Sequence, residues 1–161
     1  RSSQKQPVIG ILETNDSKLC RNDSRIIFTV IAGGALIILN FSHPLTAAQC
    51  EKIEALARQS IDLIYDLPVQ FDNDRPFSEQ IEALAGTIPL ESDRLQSEPI
   101  LINLPSLNYI AVGLVAWLNG RMGYFPAILR LKGNTDITPM VYEVAEIINL
   151  QSLRDLSRRK R

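Results

Sequence analysis

The chain has 161 residues, 45% of them apolar, and a formal net charge of −1. That is enough for one domain with a full core and too little for two of ordinary size. Its two cysteines, Cys20 and Cys50, form no C-x-x-C pair and have no histidine beside them, which disfavours a disulfide framework or a zinc site and makes a reducing cytoplasm the expected compartment.

The charge is unevenly spread. Ala35 to Ser152 carry 7 Lys/Arg against 14 Asp/Glu, whereas Leu153 to Arg161 carry 5 basic residues against 1 acidic. An acidic body argues against tracking a nucleic-acid duplex, because that binding is driven by clustered Lys and Arg. A small anion is still compatible, held by backbone amides and helix N-termini.

Residues 1–34 are rich in Ser, Asn, Asp and charge, and read as an appended lead-in of the disordered type. Ile26–Asn40 is the strongly apolar run near the start. It falls short of a membrane span of about 20 residues, and Gly33 and Gly34 interrupt it. A signal peptide would place its apolar segment nearer the start. No membrane association is expected.

Leu36–Phe41 is a continuous apolar run, the pattern of a strand covered on both faces. Thr46 and Gln49 then have capping-box spacing, and Cys50, Ile53, Leu56 and Ala57 recur on one face of the predicted helix. Ile61–Asp66 is a second strand, followed by the loop LPVQFDNDR. Pro76 suits the first turn of a second helix with Phe77, Ile81 and Leu84 on one side, and Gly86 is its expected end.

Pro99–Leu104 is a third strand, leading through PSLN into an apolar helix over Tyr109–Asn119 that Gly120 is expected to stop. Pro126–Leu131 and Val141–Asn149, joined by a polar loop, predict a hairpin. A short helix from Gln151 closes the chain, with Leu153 and Leu156 on one side and basic residues elsewhere. The series βαβαβα–ββα predicts an α/β domain: a mostly parallel sheet between helices, with a C-terminal β-hairpin and short helix.

Ligands of open α/β sheets bind outside the carboxyl ends of the strands. Here that edge is built from Phe41–Thr46, Leu67–Arg75 and Leu104–Asn108, rich in Ser, Thr, Asn, Gln and Pro. Such residues suit a polar or phosphorylated ligand, but they also serve as helix caps and turn formers. ILNFSHP and ILINLPS both place Asn near a strand's end and Pro just beyond it; capping is the commoner use of each such residue, and two loops so alike at one edge shift the balance a little toward a site.

His43 is the chain's only histidine. It could donate to a phosphate, stack on a base, or act as acid or base. No second histidine or carboxylate lies close in sequence to orient it, so no catalytic triad is indicated. Arg121 and Tyr124, in GRMGYFP, are further candidates, Arg121 either as a phosphate contact or as a cation at a helix C-terminus. Arg154, Arg158 and Arg161 would align on the last helix, complementing its dipole or weakly attracting nucleic acid. There is no G-x-x-x-x-G-K-[ST] loop, H-E-x-x-H or G-x-S-x-G, and Gly33–Gly34 precede the first strand, where a dinucleotide fingerprint would follow it. No metal or cofactor is expected.

Taken in order, LIILNFSHPLT, DLPVQFDNDRPFSEQ, GRMGYFPAILRL and YEVAEIINLQSLRD make residues 36–161 resemble one of the small Csx-type CRISPR-associated families found beside type III systems. The resemblance implies one Rossmann-like (CARF-like) domain over 35–161. In such proteins the first strand normally opens the polypeptide, which would make residues 1–34 foreign to the domain. It implies a homodimer that binds a cyclic oligoadenylate, with cyclic tetra-adenylate matching a two-fold assembly. The ligand contacts it points to are Asn40, Phe41, Ser42, His43, Thr46, Gln70, Asn103, Ser106, Asn108 and Arg121. The implied role is sequestration of the messenger in a prokaryotic cytoplasm, damping antiviral signalling. The alternative is a metal-independent ring nuclease with His43 as the catalytic candidate, since positioning a ribose hydroxyl on its phosphate supplies much of such a rate. A protein-interaction module without nucleotide affinity is the third reading.

Overall fold

The computed structural model describes residues 36–161 apart from Pro68 and Ile137; the lead-in over residues 1–34 lies outside the described residues. Leu36–Asn40 (β1) is buried at every position. Its side chains alternate between two cores. Ile37 and Leu39 enter one with Ile100 and Ile102 of Ile100–Asn103 (β3), while Leu36 and Ile38 enter the other with Leu101. A strand covered on both sides needs both faces apolar, which is why these runs are unbroken in the sequence.

Ala47–Ala57 (α1) begins with the expected capping box: Thr46 Oγ1 accepts from the Gln49 amide, and Gln49 Oε1 accepts from the Thr46 amide. Its buried face is Gln49, Ile53 and Ala57. Leu56, expected on that face, is 41% exposed, because neighbouring residues stand about 100° apart around a helix and Ala57 takes the inward position.

Ile61–Asp66 (β2) is an edge strand. Phe77–Ala85 (α2) follows Pro76, turns Phe77, Ile81 and Leu84 onto the core together, and is closed by Gly86. Ser92–Ser97 (α3) carries a single apolar residue, Leu95, and so shows no helical periodicity in the sequence; that one side chain is 1% exposed.

Asn108–Met122 (α4) runs past its expected stop. Gly120 lies within the helix, and Gly123, at φ +77°, ends it. A glycine inside a helix costs only about 1 kcal/mol, whereas the left-handed turn after a helix strongly favours one. Ala127–Asn134 (β4) and Val141–Asn149 (β5) form the expected antiparallel hairpin, and Leu150–Arg158 (α5), capped by Asn149, follows.

The five-stranded sheet has the order β2-β1-β3-β4-β5, parallel except for β5. α1 covers one face; α2, α3 and α4 cover the other. The chain leaves β1 outward to β2, then returns past β1 to β3. The winding direction therefore reverses between β1 and β3, and the carboxyl ends of strands at such a switch point are where open α/β sheets take their ligands. Among the described residues no helix is long and apolar enough to cross a membrane.

Candidate functional site

The sheet register brings the last residues of its first three strands side by side: Asn40 pairs with Asp66 on one neighbour and with Asn103 on the other. By alternation these side chains share the α1 face with Ile38 and Leu101. Asn40 is 0% and Asn103 3% exposed, so their polar atoms need partners. Asn40 Nδ2 donates to Asp66 Oδ1 at 2.5 Å and to the His43 carbonyl at 3.0 Å. Its Oδ1 accepts from Asn103 Nδ2 at 2.8 Å and from the Ser42 amide at 3.2 Å.

An asparagine side chain offers two donors and two acceptor positions, and Asn40 uses them all. It fixes the loop after β1 and has nothing left for a ligand, so its part is positioning instead of the expected contact. The backbone continues the anchor. The Asn103 carbonyl accepts from the Phe41 amide at 2.9 Å, and the Asn40 carbonyl from the Leu67 amide at 2.8 Å. Three loops thus leave the sheet from one knot.

Around that knot, Ser42, His43, Thr46, Gln70, Ser106 and Asn108 are exposed at the carboxyl edge. The His43 ring makes no hydrogen bond or ion pair among the described residues; only its carbonyl is engaged. The Thr46 oxygen and the Asn108 Oδ1 are partly committed to the backbone amides of Gln49 and Tyr109. Gln70 is turned outward because Val69 and Phe71 on either side pack against the core, and Gln80 Nε2 pins the loop by donating to the Asp72 and Arg75 carbonyls.

Two expected contacts are not there. Phe41 is 2% exposed and belongs to the core, since alternation carries it inward after Ile37 and Leu39. Arg121 stands at the other end of α4 from Asn108, roughly 20 Å along the axis by the helical rise, and thus at the amino edge of the sheet. There its guanidinium lies 5.2 Å from the Trp117 ring centroid and donates to Ser92 Oγ at 2.7 Å, tying α4 to α3. Tyr124 sits beyond that same end, its hydroxyl 3.4 Å from the Leu95 carbonyl, and burial raises its pKa.

Asp66 is the residue that sequence reasoning missed. It ends a strand, and nothing local in the sequence sets it apart from any other strand end; its pairing with Asn40 comes only from the sheet register. Burial first, then the charges of Glu54 and Asp66, push the neighbouring Cys50 thiol up and keep it neutral. A concavity of about 310 Å³, lined by Arg154, Ser157, Arg158 and Arg161, runs along α5. α5 starts beside Ala127 at the amino edge, so this groove is separate from the knot. Among the described residues no group of three or more His, Cys, Asp and Glu is placed to hold a metal ion.

The fold and this edge define an α/β protein whose polar loops gather at the switch point of a doubly wound sheet. They carry hydroxyl, amide and imidazole groups, with Asp66 joined to Asn40 and Asp72 and Asp74 further along the loop after β2. The chain matches no family model, no curated protein and no solved structure.

Proposed function

We propose that the carboxyl-edge loops bind a cyclic oligoadenylate, cyclic tetra-adenylate foremost, and that the protein damps type III CRISPR signalling by sequestering this messenger. The domain is then of the Rossmann-like, CARF-like kind. The observation that carries the reading is the saturated Asn40 knot, which fixes the loop of Ser42 and His43 to Asn103, the strand end from which the chain runs on to Ser106 and Asn108. Neutral donors on a fixed backbone suit phosphates in an acidic protein, because they cost little reorganisation on binding. The motifs from LIILNFSHPLT to YEVAEIINLQSLRD support the same reading.

The exposed side of α4 supports a homodimer. Tyr109 and Val112 on its outer side are each 71% exposed, and a helix apolar on all sides ordinarily has a partner. Since α4 starts at the carboxyl edge, pairing it with its copy about a two-fold axis running along the helices would set two such edges side by side, matching the two-fold symmetry of cyclic tetra-adenylate.

Slow metal-independent ring cleavage is the second reading, favoured by the unengaged His43 imidazole at this edge. The test is to incubate excess protein with cyclic tetra-adenylate in the absence of metal, separate bound from free, and chromatograph the recovered ligand. Intact ligand in the bound fraction supports sequestration, and linear product supports cleavage. Failure to bind rings of any size leaves an interaction module and ends the nucleotide reading.

A further inference from the structure

Asp66 is the one carboxylate joined to the knot, and its arrangement is asymmetric. Oδ1 accepts from Asn40 Nδ2 at 2.5 Å, and that amide belongs to a fully buried, fully bonded side chain. Oδ2 accepts nothing among the described residues, no Lys or Arg forms an ion pair with Asp66 among them, and the residue is exposed. The carboxylate is therefore oriented but not neutralised. The sheet holds it at the end of β2, in register with Asn40.

A bare carboxylate beside a phosphate-binding loop repels the phosphate, so it must meet a part of the ligand that donates. Hydroxyls are the donors of choice, since O–H to carboxylate bonds are short and charge-assisted. The end of the strand next to β1 is also where an acid reaches the ribose in doubly wound nucleotide-binding sheets. In a 3′–5′ linked ring the 2′-hydroxyl is the only ribose hydroxyl left free.

We infer that Asp66 accepts a hydrogen bond from a ribose 2′-hydroxyl, so that this site takes a ribonucleotide ring and rejects its 2′-deoxy counterpart. The inference rests on the cyclic oligoadenylate reading and adds to it the group that sets sugar specificity. Asn40 then acts through Asp66 as a positioning residue, fixing which oxygen is presented.

The experiment titrates the full chain with cyclic tetra-adenylate and with the all-2′-deoxy ring, by calorimetry. The expected result is about 10- to 100-fold tighter binding of the ribose form, the range of one hydrogen bond to a charged group. Asp66→Ala should bring the two rings within about 2-fold of each other, chiefly by weakening the ribose form. Asp66→Asn, which keeps an oxygen for Asn40 and removes the charge, should fall between. Because the readout is a ratio on one protein, a loss of folded material cancels. Equal binding of both rings to the unaltered protein, or full discrimination surviving in Asp66→Ala, overturns the inference while leaving the messenger reading standing. If the unaltered protein binds neither ring, the messenger reading fails and the inference falls with it.

Discussion

Asn103 donates its side-chain amide to Asn40 Oδ1 at 2.8 Å, from 63 positions away in the chain, and both side chains are buried. The bond ties the ends of two adjacent parallel strands, and the loop after β1 depends on it. Asn103→Ala is expected to destabilise the protein by about 1–3 kcal/mol, the cost of a buried polar group losing a partner. Asn40→Ala should cost more, because the His43 carbonyl, the Ser42 amide, Asp66 and Asn103 each lose a bond at once. Urea denaturation checks the order; the reverse ranking would mean that the knot is not centred on Asn40.

His43→Ala separates binding from stability. The ring contributes no hydrogen bond to the fold, so the urea midpoint should stay where it is. Affinity for cyclic tetra-adenylate should fall about 10-fold, as for one lost ligand hydrogen bond. Unchanged affinity would remove His43 from the site.

Two glycines three residues apart are expected to respond with opposite signs. A Cβ at Gly120 meets nothing within 4 Å, so Gly120→Ala should stabilise the protein by roughly 0.5–1 kcal/mol through helix propensity. Gly123 has φ +77°, and Gly123→Ala should destabilise by about 1–2 kcal/mol because a Cβ crowds the carbonyl in that conformation. Thermal melts of both variants decide it, and the same sign for both would move the helix end.

Cys50 gives a pH dependence. Burial and the nearby Glu54 and Asp66 charges raise its pKa, so the folded state holds the thiol proton more tightly than the unfolded chain does. The stability this provides is present below the ordinary thiol range and is lost as pH rises through the raised value. In a Cys20→Ser background, the reaction of Cys50 with a disulfide reagent should show its midpoint above about 8.5, the ordinary thiol value. Asp66→Asn should lower that midpoint; no movement would mean that Asp66 does not act on Cys50.

Arg121→Ala and deletion of residues 153–161 both alter the amino edge of the sheet. Neither should change the affinity for cyclic tetra-adenylate, as read by titration. Loss of binding in either variant would place the ligand among Arg121, Trp117 and the α5 arginines instead of at the carboxyl edge.

Strand and helix order was readable along the chain because its signals are local. Thr46 and Gln49 announce a capping box within four positions, Pro76 opens α2, and the unbroken runs of β1 and β3 show that both faces are covered. α3 escaped because Leu95 is its single apolar residue, and the end of α4 was misread because Gly120 and Gly123 look alike until φ is known. At the site, the loops and their exposed polar residues were legible from their position after the strands. Asp66 was not, because a strand's last residue has no local mark that distinguishes a structural end from a functional one.

By itself the sequence determined the α/β class, the alternation of elements and the edge at which polar loops collect. Periodicity and capping act over a few residues, and such short-range physics is written in the order of the side chains. Tertiary structure decided the division of labour at that edge. It saturated Asn40 and joined Asp66 to it from 26 positions away. Phe41 it turned into the core, and Arg121 it carried to the far end of the sheet. Those outcomes depend on the register between strands and on the length of α4, quantities that exist only once the sheet has been assembled.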